Sequence, residues 1–136
     1  MTKQIFVNLP VKDLKKTINF FTKLGFKFNP QFTDENGTCM VIDENIFAML
    51  LVEKFFKSFI KKEICPENAT EAILAISVEN REKVDKIIIK ALEAGGKEPG
   101  PVQDHGWMYG RGFEDINGHL WEVFYMDMSK MPKNDN

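Results

Sequence analysis

Residues 113–127 read FEDINGHLWEVFYMD, and this stretch decides the fold. Asp115-Ile116-Asn117-Gly118 is a turn signal between two β-rich runs, residues 107–114 (WMYGRGFE) and residues 119–126 (HLWEVFYM). The second run alternates. Leu120, Glu122 and Phe124 share one face of a strand, and Trp121, Val123 and Tyr125 share the other. The segment is therefore a hairpin with a single carboxylate, Glu122, on a face otherwise made of hydrocarbon.

Upstream of the hairpin, residues 71–78 (EAILAISV) read as a strand. Asn80 is an N-cap candidate, with Lys83 rather than Glu three residues on. Val84, Ile87, Ile88, Ala91 and Leu92 give a helical face that Gly95-Gly96 stops. Residues 97–103 carry two prolines and suit an edge strand.

The same order occurs once before. Residues 4–9 (QIFVNL) form a strand ended by Pro10, and Asp13 caps a helix whose face holds Leu14, Ile18, Phe21 and Leu24, closed by Gly25. Residues 26–33 are a strand with Pro30 at an edge or bulge, Asp34-Glu35-Asn36-Gly37 is a turn, and 38–42 and 46–52 are two further strands joined by Asp43-Glu44-Asn45. Val11-Lys12-Asp13 and Val78-Glu79-Asn80 occupy matching places, an offset of 78 − 11 = 67. The chain thus reads as one α+β domain over 1–136, built from two tandem βαβββ modules, about 1–66 and about 67–128, with a polar, frayed tail at 129–136. Joined edge to edge, two such sheets would curl into a cup with helices outside. Between the modules, Phe55, Phe56, Phe59 and Ile60 within 53–70 form either a packed connector or an amphipathic arm over a pocket or a partner.

Composition excludes several function classes. With 43% hydrophobic and 28% charged residues in 136, the chain is an ordinary globular sequence with twelve phenylalanines available for a core or an aromatic-lined pocket. Net charge is −2, and the pairs Lys15-Lys16 and Lys61-Lys62 lie among acids, so a nucleic-acid interface is not expected. No apolar run approaches the ~20 residues of a membrane helix, and MTKQIFVNLP is too short and polar for a signal peptide. Cys39 and Cys65 lack metal spacing, so free thiols in a reducing cytoplasm are expected, Cys39 in the core and Cys65 in a loop.

The opening VNLPVKDLKKTINFFTKLGF, the helix end KALEAGGK and the closing FEDINGHLWEVFYMD resemble the vicinal oxygen chelate superfamily, the glyoxalase/bleomycin-resistance/dioxygenase group. The closing segment resembles that family's acidic turn and glutamate-bearing last strand, with Ile116 where proline is usual and Asn117 in place of an aspartate. The resemblance implies the paired-module cup and often a homodimer. In metal-dependent members it implies a divalent ion held from four strands that stabilises an oxyanion on the substrate. The positions that match those ligands are Phe6, Met49 (or Leu50, by a one-residue slip), Ile73 and Glu122. Only Glu122 is a donor for such an ion, and typical catalytic sites need three protein ligands, so no tightly bound metal or other cofactor is expected.

By the same resemblance the cup interior holds Phe6, Asn8, Met49, Ile73, Phe124 and Glu122. Glu122 is a candidate acid or base in apolar surroundings. His105 is either a rim residue or a surface residue, and His119, an odd three positions from Glu122, is a strand-start residue packing at the turn. The strand 107–114 is open to two readings: Met108, Gly110 and Gly112 face the cup and leave room, or Tyr109 and Arg111 do and bind ligand or Glu122. The sequence therefore leads to a small-molecule-binding protein with an apolar cup for an aromatic or amphipathic ligand. The alternatives are a metal-dependent glyoxalase-like lyase, isomerase or dioxygenase, and a metal-free acid/base enzyme using Glu122 and His105.

Overall fold

The computed structural model describes residues 1–132. It divides into two compact units, Met1–Ala69 and a second beginning at Thr70. The first unit contains β1 (Ile5–Val11), α1 (Leu14–Lys23), β2 (Lys27–Asp34), β3 (Gly37–Asp43), β4 (Ile46–Val52) and α2 (Glu53–Lys57). Its sheet runs β1-β4-β3-β2, with β1 parallel to β4 and the other pairs antiparallel. The second unit contains β5 (Ile73–Ser77), α3 (Arg81–Glu93), β6 (Gln103–Asp104), β7 (Met108–Glu114) and β8 (Leu120–Met126). Its sheet runs β5-β8-β7-β6, with β5 parallel to β8. The two βαβββ modules therefore share one topology: the helix after the first strand is the crossover that lets that strand pair in parallel with the fourth. The class is α+β.

Local chemistry starts and stops the helices where the sequence places them. The Asp13 carboxylate accepts the Lys16 amide at 3.0 Å and the Asn80 side chain accepts the Lys83 amide at 2.8 Å, each satisfying an amide that the first helical turn leaves free. Gly25 and Gly95 follow the helices at φ 102° and 108°, a conformation that favours glycine.

The helix faces turn slightly from their expected centres. In α1 the buried side chains are Thr17, Phe20 and Phe21, followed by Leu24, while Leu14 and Ile18 lie at the margins. Thr17 can be buried because its hydroxyl donates to the Asp13 carbonyl at 2.7 Å. In α3 the buried residues are Val84, Ile88 and Ala91; Ile87 is half-buried and Leu92 is exposed.

Apart from shifts of one or two residues at several strand ends, three assignments differ from the expected ones. β1 continues through Pro10 to Val11, since an edge strand tolerates the missing N–H. Residues 97–103 do not form a strand: Pro99 and Pro101 remove two donors, leaving a lone bridge from Lys97 to Glu114 and the two-residue β6. The tail is not frayed from Ser129, because Met128–Lys130 form a 3-10 turn in which Asp127 accepts from the Ser129 amide and hydroxyl. The last four residues of the expected tail, 133–136, lie outside the described residues. As expected, Pro30 lies within a register shift of β2, and Cys39 is buried, which pushes its thiol up. Cys65 is half-buried and forms no disulfide among the described residues.

Gly37 begins β3 against β4 where no side chain fits. A Cβ there would lie 2.6 Å from Leu51 Cδ2 and 2.8 Å from the Leu50 carbonyl oxygen. Gly37→Ala is expected to destabilise the protein by about 1–3 kcal/mol in urea unfolding followed by circular dichroism. Stability within a few tenths of the wild type would show that β3 and β4 separate freely at this point.

Candidate functional site

The alternation of β8 divides the second unit. Trp121 and Val123 are fully buried, whereas Leu120, Glu122 and Phe124 stand on the opposite, half-exposed face. Paired residues on neighbouring strands share a face, so the register shows what surrounds Glu122. On one side are Ile73 and Ala75 of β5, opposite Leu120 and Glu122. On the other are Gly110 and Gly112 of β7, opposite Phe124 and Glu122.

Above this face lies a cavity of about 340 Å³, bordered by Ile73, Met108, Gly110, Gly112, Leu120 and Glu122 and by the segment from Pro99 to Gln103. The glycines create the room. A Cβ at Gly110 would stand 3.7 Å from Glu122 Oε1 and project into this space, while Gly112 lets Pro99 approach the strand, its Cγ 3.1 Å from where a Cβ would stand. The Glu122 carboxylate makes no hydrogen bond or ion pair with another described residue.

The other face of β7 is occupied by charge pairs with α3. Tyr109 donates its hydroxyl to Asp85 at 2.5 Å, and Arg111 donates to Asp85 at 3.0 Å and to Glu98 at 2.7 Å. Burial would raise the Asp85 carboxyl, but the bonds from Tyr109 and Arg111 outweigh it and hold the group below its usual range. Arg81 adds a bidentate pair with Asp104 at 2.9 and 3.0 Å and lies 4.9 Å from the Tyr109 ring centroid. The Tyr109 and Arg111 side chains are therefore committed to the helix side, and the glycine face of β7 borders the cavity.

The remaining sequence candidates fall in three places. In the first unit, Phe6, Asn8 and Met49 share the sheet face opposite the one carrying Leu9, Val11, Ala48 and Leu50. There Phe6 stacks on Phe47 with centroids 4.7 Å apart, and the Asn8 amide donates to the Phe6 carbonyl at 3.3 Å. His105 is exposed in the turn between β6 and β7. His119 is buried at the β7–β8 turn, its Nδ1 2.5 Å from Glu71 Oε1. Ile73, Glu122 and Phe124 do share one face of the second sheet. Sequence reasoning missed Pro99 and Pro101 as walls and Asp85 as the anchor of β7. The only signal for Asp85 was a carboxylate one position beyond the buried Val84 on the helix face.

The donor set does not fit a divalent metal. Phe6 and Ile73 are hydrocarbon, Met49 offers a thioether, and Glu122 is the one hard donor among the matching positions. Among the described residues, no group of three or more His, Cys, Asp or Glu side chains is arranged to hold an ion.

Residues 3–123 match the family model described as Glyoxalase/Bleomycin resistance protein/Dioxygenase superfamily. Solved structures of similar fold include a hypothetical protein from S. aureus, 27% identical, with a TM-score of 0.79 over 92% of this chain and 94% of that one. A genomically encoded fosfomycin resistance protein from Listeria monocytogenes is 16% identical, with a TM-score of 0.67 over 95% and 97%. A bleomycin resistance determinant encoded on transposon Tn5 is 16% identical, with a TM-score of 0.65 over 93% and 100%. No curated protein matches this chain.

The Arg81–Asp104 pair carries a pH signature. The bonds from Arg81 hold the Asp104 carboxyl down from the usual 3.8 to about 2. A depressed carboxylate contributes stability above its unfolded value, which is lost as pH falls through the folded one. The stability difference between wild type and Asp104→Asn is therefore expected to be constant above about pH 5 and to vanish towards about pH 2. A difference that does not change over this range would show that the pair contributes nothing through charge.

Proposed function

Since the chain belongs to the glyoxalase/bleomycin resistance protein/dioxygenase superfamily, whose common fold hosts several chemistries, we propose that it binds a small aromatic or amphipathic molecule without a catalytic metal. One observation carries this reading. Glu122 stands alone and unpartnered among the described residues, on a face of Ile73, Leu120 and Phe124 with two glycines opposite. A cavity with largely apolar walls and a few polar groups is the general form of a small-ligand site. Burying the ligand's apolar surface against Ile73, Met108, Leu120 and Pro99 would supply about 25 cal/mol per Å². Glu122 would fix its orientation.

The bleomycin resistance determinant of similar fold gives this reading a precedent in kind. The free carboxylate also supports a second reading, in which Glu122 moves a proton on the bound molecule without metal assistance. A homodimer belongs to the proposal, because Ile5 and Ile46, paired on one face of the first sheet, expose 54% and 41% of their surfaces and give a second copy apolar area to cover. That neither Cys39 nor Cys65 forms a disulfide among the described residues suits a cytoplasmic setting.

Metal content decides between this reading and lyase or dioxygenase chemistry. Protein purified after growth with added zinc, nickel, manganese and iron is expected to carry well under one metal ion per chain, unchanged in Glu122→Gln. Near-stoichiometric metal that disappears in Glu122→Gln would overturn the metal-free reading.

A further inference from the structure

The cavity of the second unit offers free charge of one sign. Arg111 is among the residues that border it, but its guanidinium donates to Asp85 and Glu98. Glu122 lies on the cavity face and has no bonding partner among the described residues. The walls beside it are Ile73, Leu120, Met108 and the prolines of the Pro99–Gly100–Pro101 strap.

The charge and the walls select a ligand by chemistry. An anion entering this space would meet a like charge. A neutral molecule could replace at most the hydrogen bonds that Glu122 makes to water and would leave its charge uncompensated, which is costly for a covered carboxylate. A cation with N–H donors restores both charge and hydrogen bonds. Shape narrows the class further. Gly110 presents no side chain beside Glu122, whereas Gly112 is covered by Pro99, whose Cγ is 3.1 Å from where a Cβ would stand, so the open part of the cavity lies beside Gly110. The volume of about 340 Å³ is near the lower end of ligand pockets, about 300–1,000 Å³, which suits one ring with a short side chain.

We propose that this cavity takes a small organic cation, an aryl amidinium or arylalkyl ammonium, whose charged end donates to Glu122 while its ring lies beside Gly110 against the apolar walls. The inference rests on the binding reading given above and adds the charge of the ligand.

Three nearly isosteric probes test it: benzamidine, benzamide and benzoate, titrated calorimetrically at low salt. Benzamidine is expected to bind at least about tenfold more tightly than benzamide, and benzoate not at all. Glu122→Gln should bring benzamidine and benzamide to the same affinity. Gly110→Val should abolish both, because its side chain enters the cavity; if that variant does not fold, Gly110→Ala is expected to weaken both by a smaller factor. Equal binding of benzamidine and benzamide to the wild type, or a preference that survives in Glu122→Gln, would overturn the cation assignment. Benzamide binding that Gly110→Val removes would then leave the cavity standing as a binding site of another charge class. Failure of all three probes would overturn the cation assignment and the binding reading together.

Discussion

Asp115 sits at the head of the β7–β8 hairpin with 5% of its surface exposed, and its carboxylate gathers three donors. Oδ1 accepts the Asn117 amide at 2.8 Å and the His119 amide at 3.1 Å, and Oδ2 accepts the Trp121 indole N–H at 3.0 Å. Burial pushes this carboxyl up, opposed by His119 and by the bonds it accepts. The arrangement fixes the turn and also fixes Trp121, whose ring lies parallel to Phe113 at 6.1 Å in the core. A one-residue slip of β8 would carry Trp121 to the open face and Glu122 into the core. The anchor therefore determines that Glu122, and not its neighbours, borders the cavity.

Once β8 is fixed, the antiparallel register fixes β7. Gly112 faces Glu122 and Gly110 faces Phe124, so Tyr109, Arg111 and Phe113 must point to the other side. That side is covered by α3, where Asp85 stands ready for both polar groups. A guanidinium at 17% exposure needs compensation, and two carboxylates provide it, although Arg111 Nε is left without a hydrogen bond. The charge network on the helix side and the open space beside Gly110 on the cavity side are two results of a single register.

Periodicity carried most of the fold. The two βαβββ orders, the caps at Asp13 and Asn80 and the stops at Gly25 and Gly95 are local signals, and local chemistry determines them. The parity of β7 was not legible, because alternation alone allows either glycines or Arg111 at the cavity; the partner that decides it, Asp85, is 26 residues away. The centre of the α1 face was misplaced because Thr17 counts as polar until its bond to Asp13 is known. Pro99 and Pro101 read as strand breakers, which they are, and nothing in their spacing says that they also form a wall. Glu122 was legible as a lone carboxylate among hydrocarbons, since a strand's period of two follows directly from its geometry.

The arithmetic of donors explains why one carboxylate can suit an organic cation where it would not suit a metal. A divalent ion is bound by replacing most of its hydration shell, which takes several hard ligands at fixed distances. Phe6, Ile73 and Met49 supply none of these. An amidinium or ammonium carries its own donors and spreads its charge over a body that gains from hydrocarbon contact, so one carboxylate and apolar walls satisfy different parts of the same molecule. On the proposed reading, the hydrocarbon of Ile73 and Leu120 and the carboxylate of Glu122, together on one sheet face, are two halves of one binding preference.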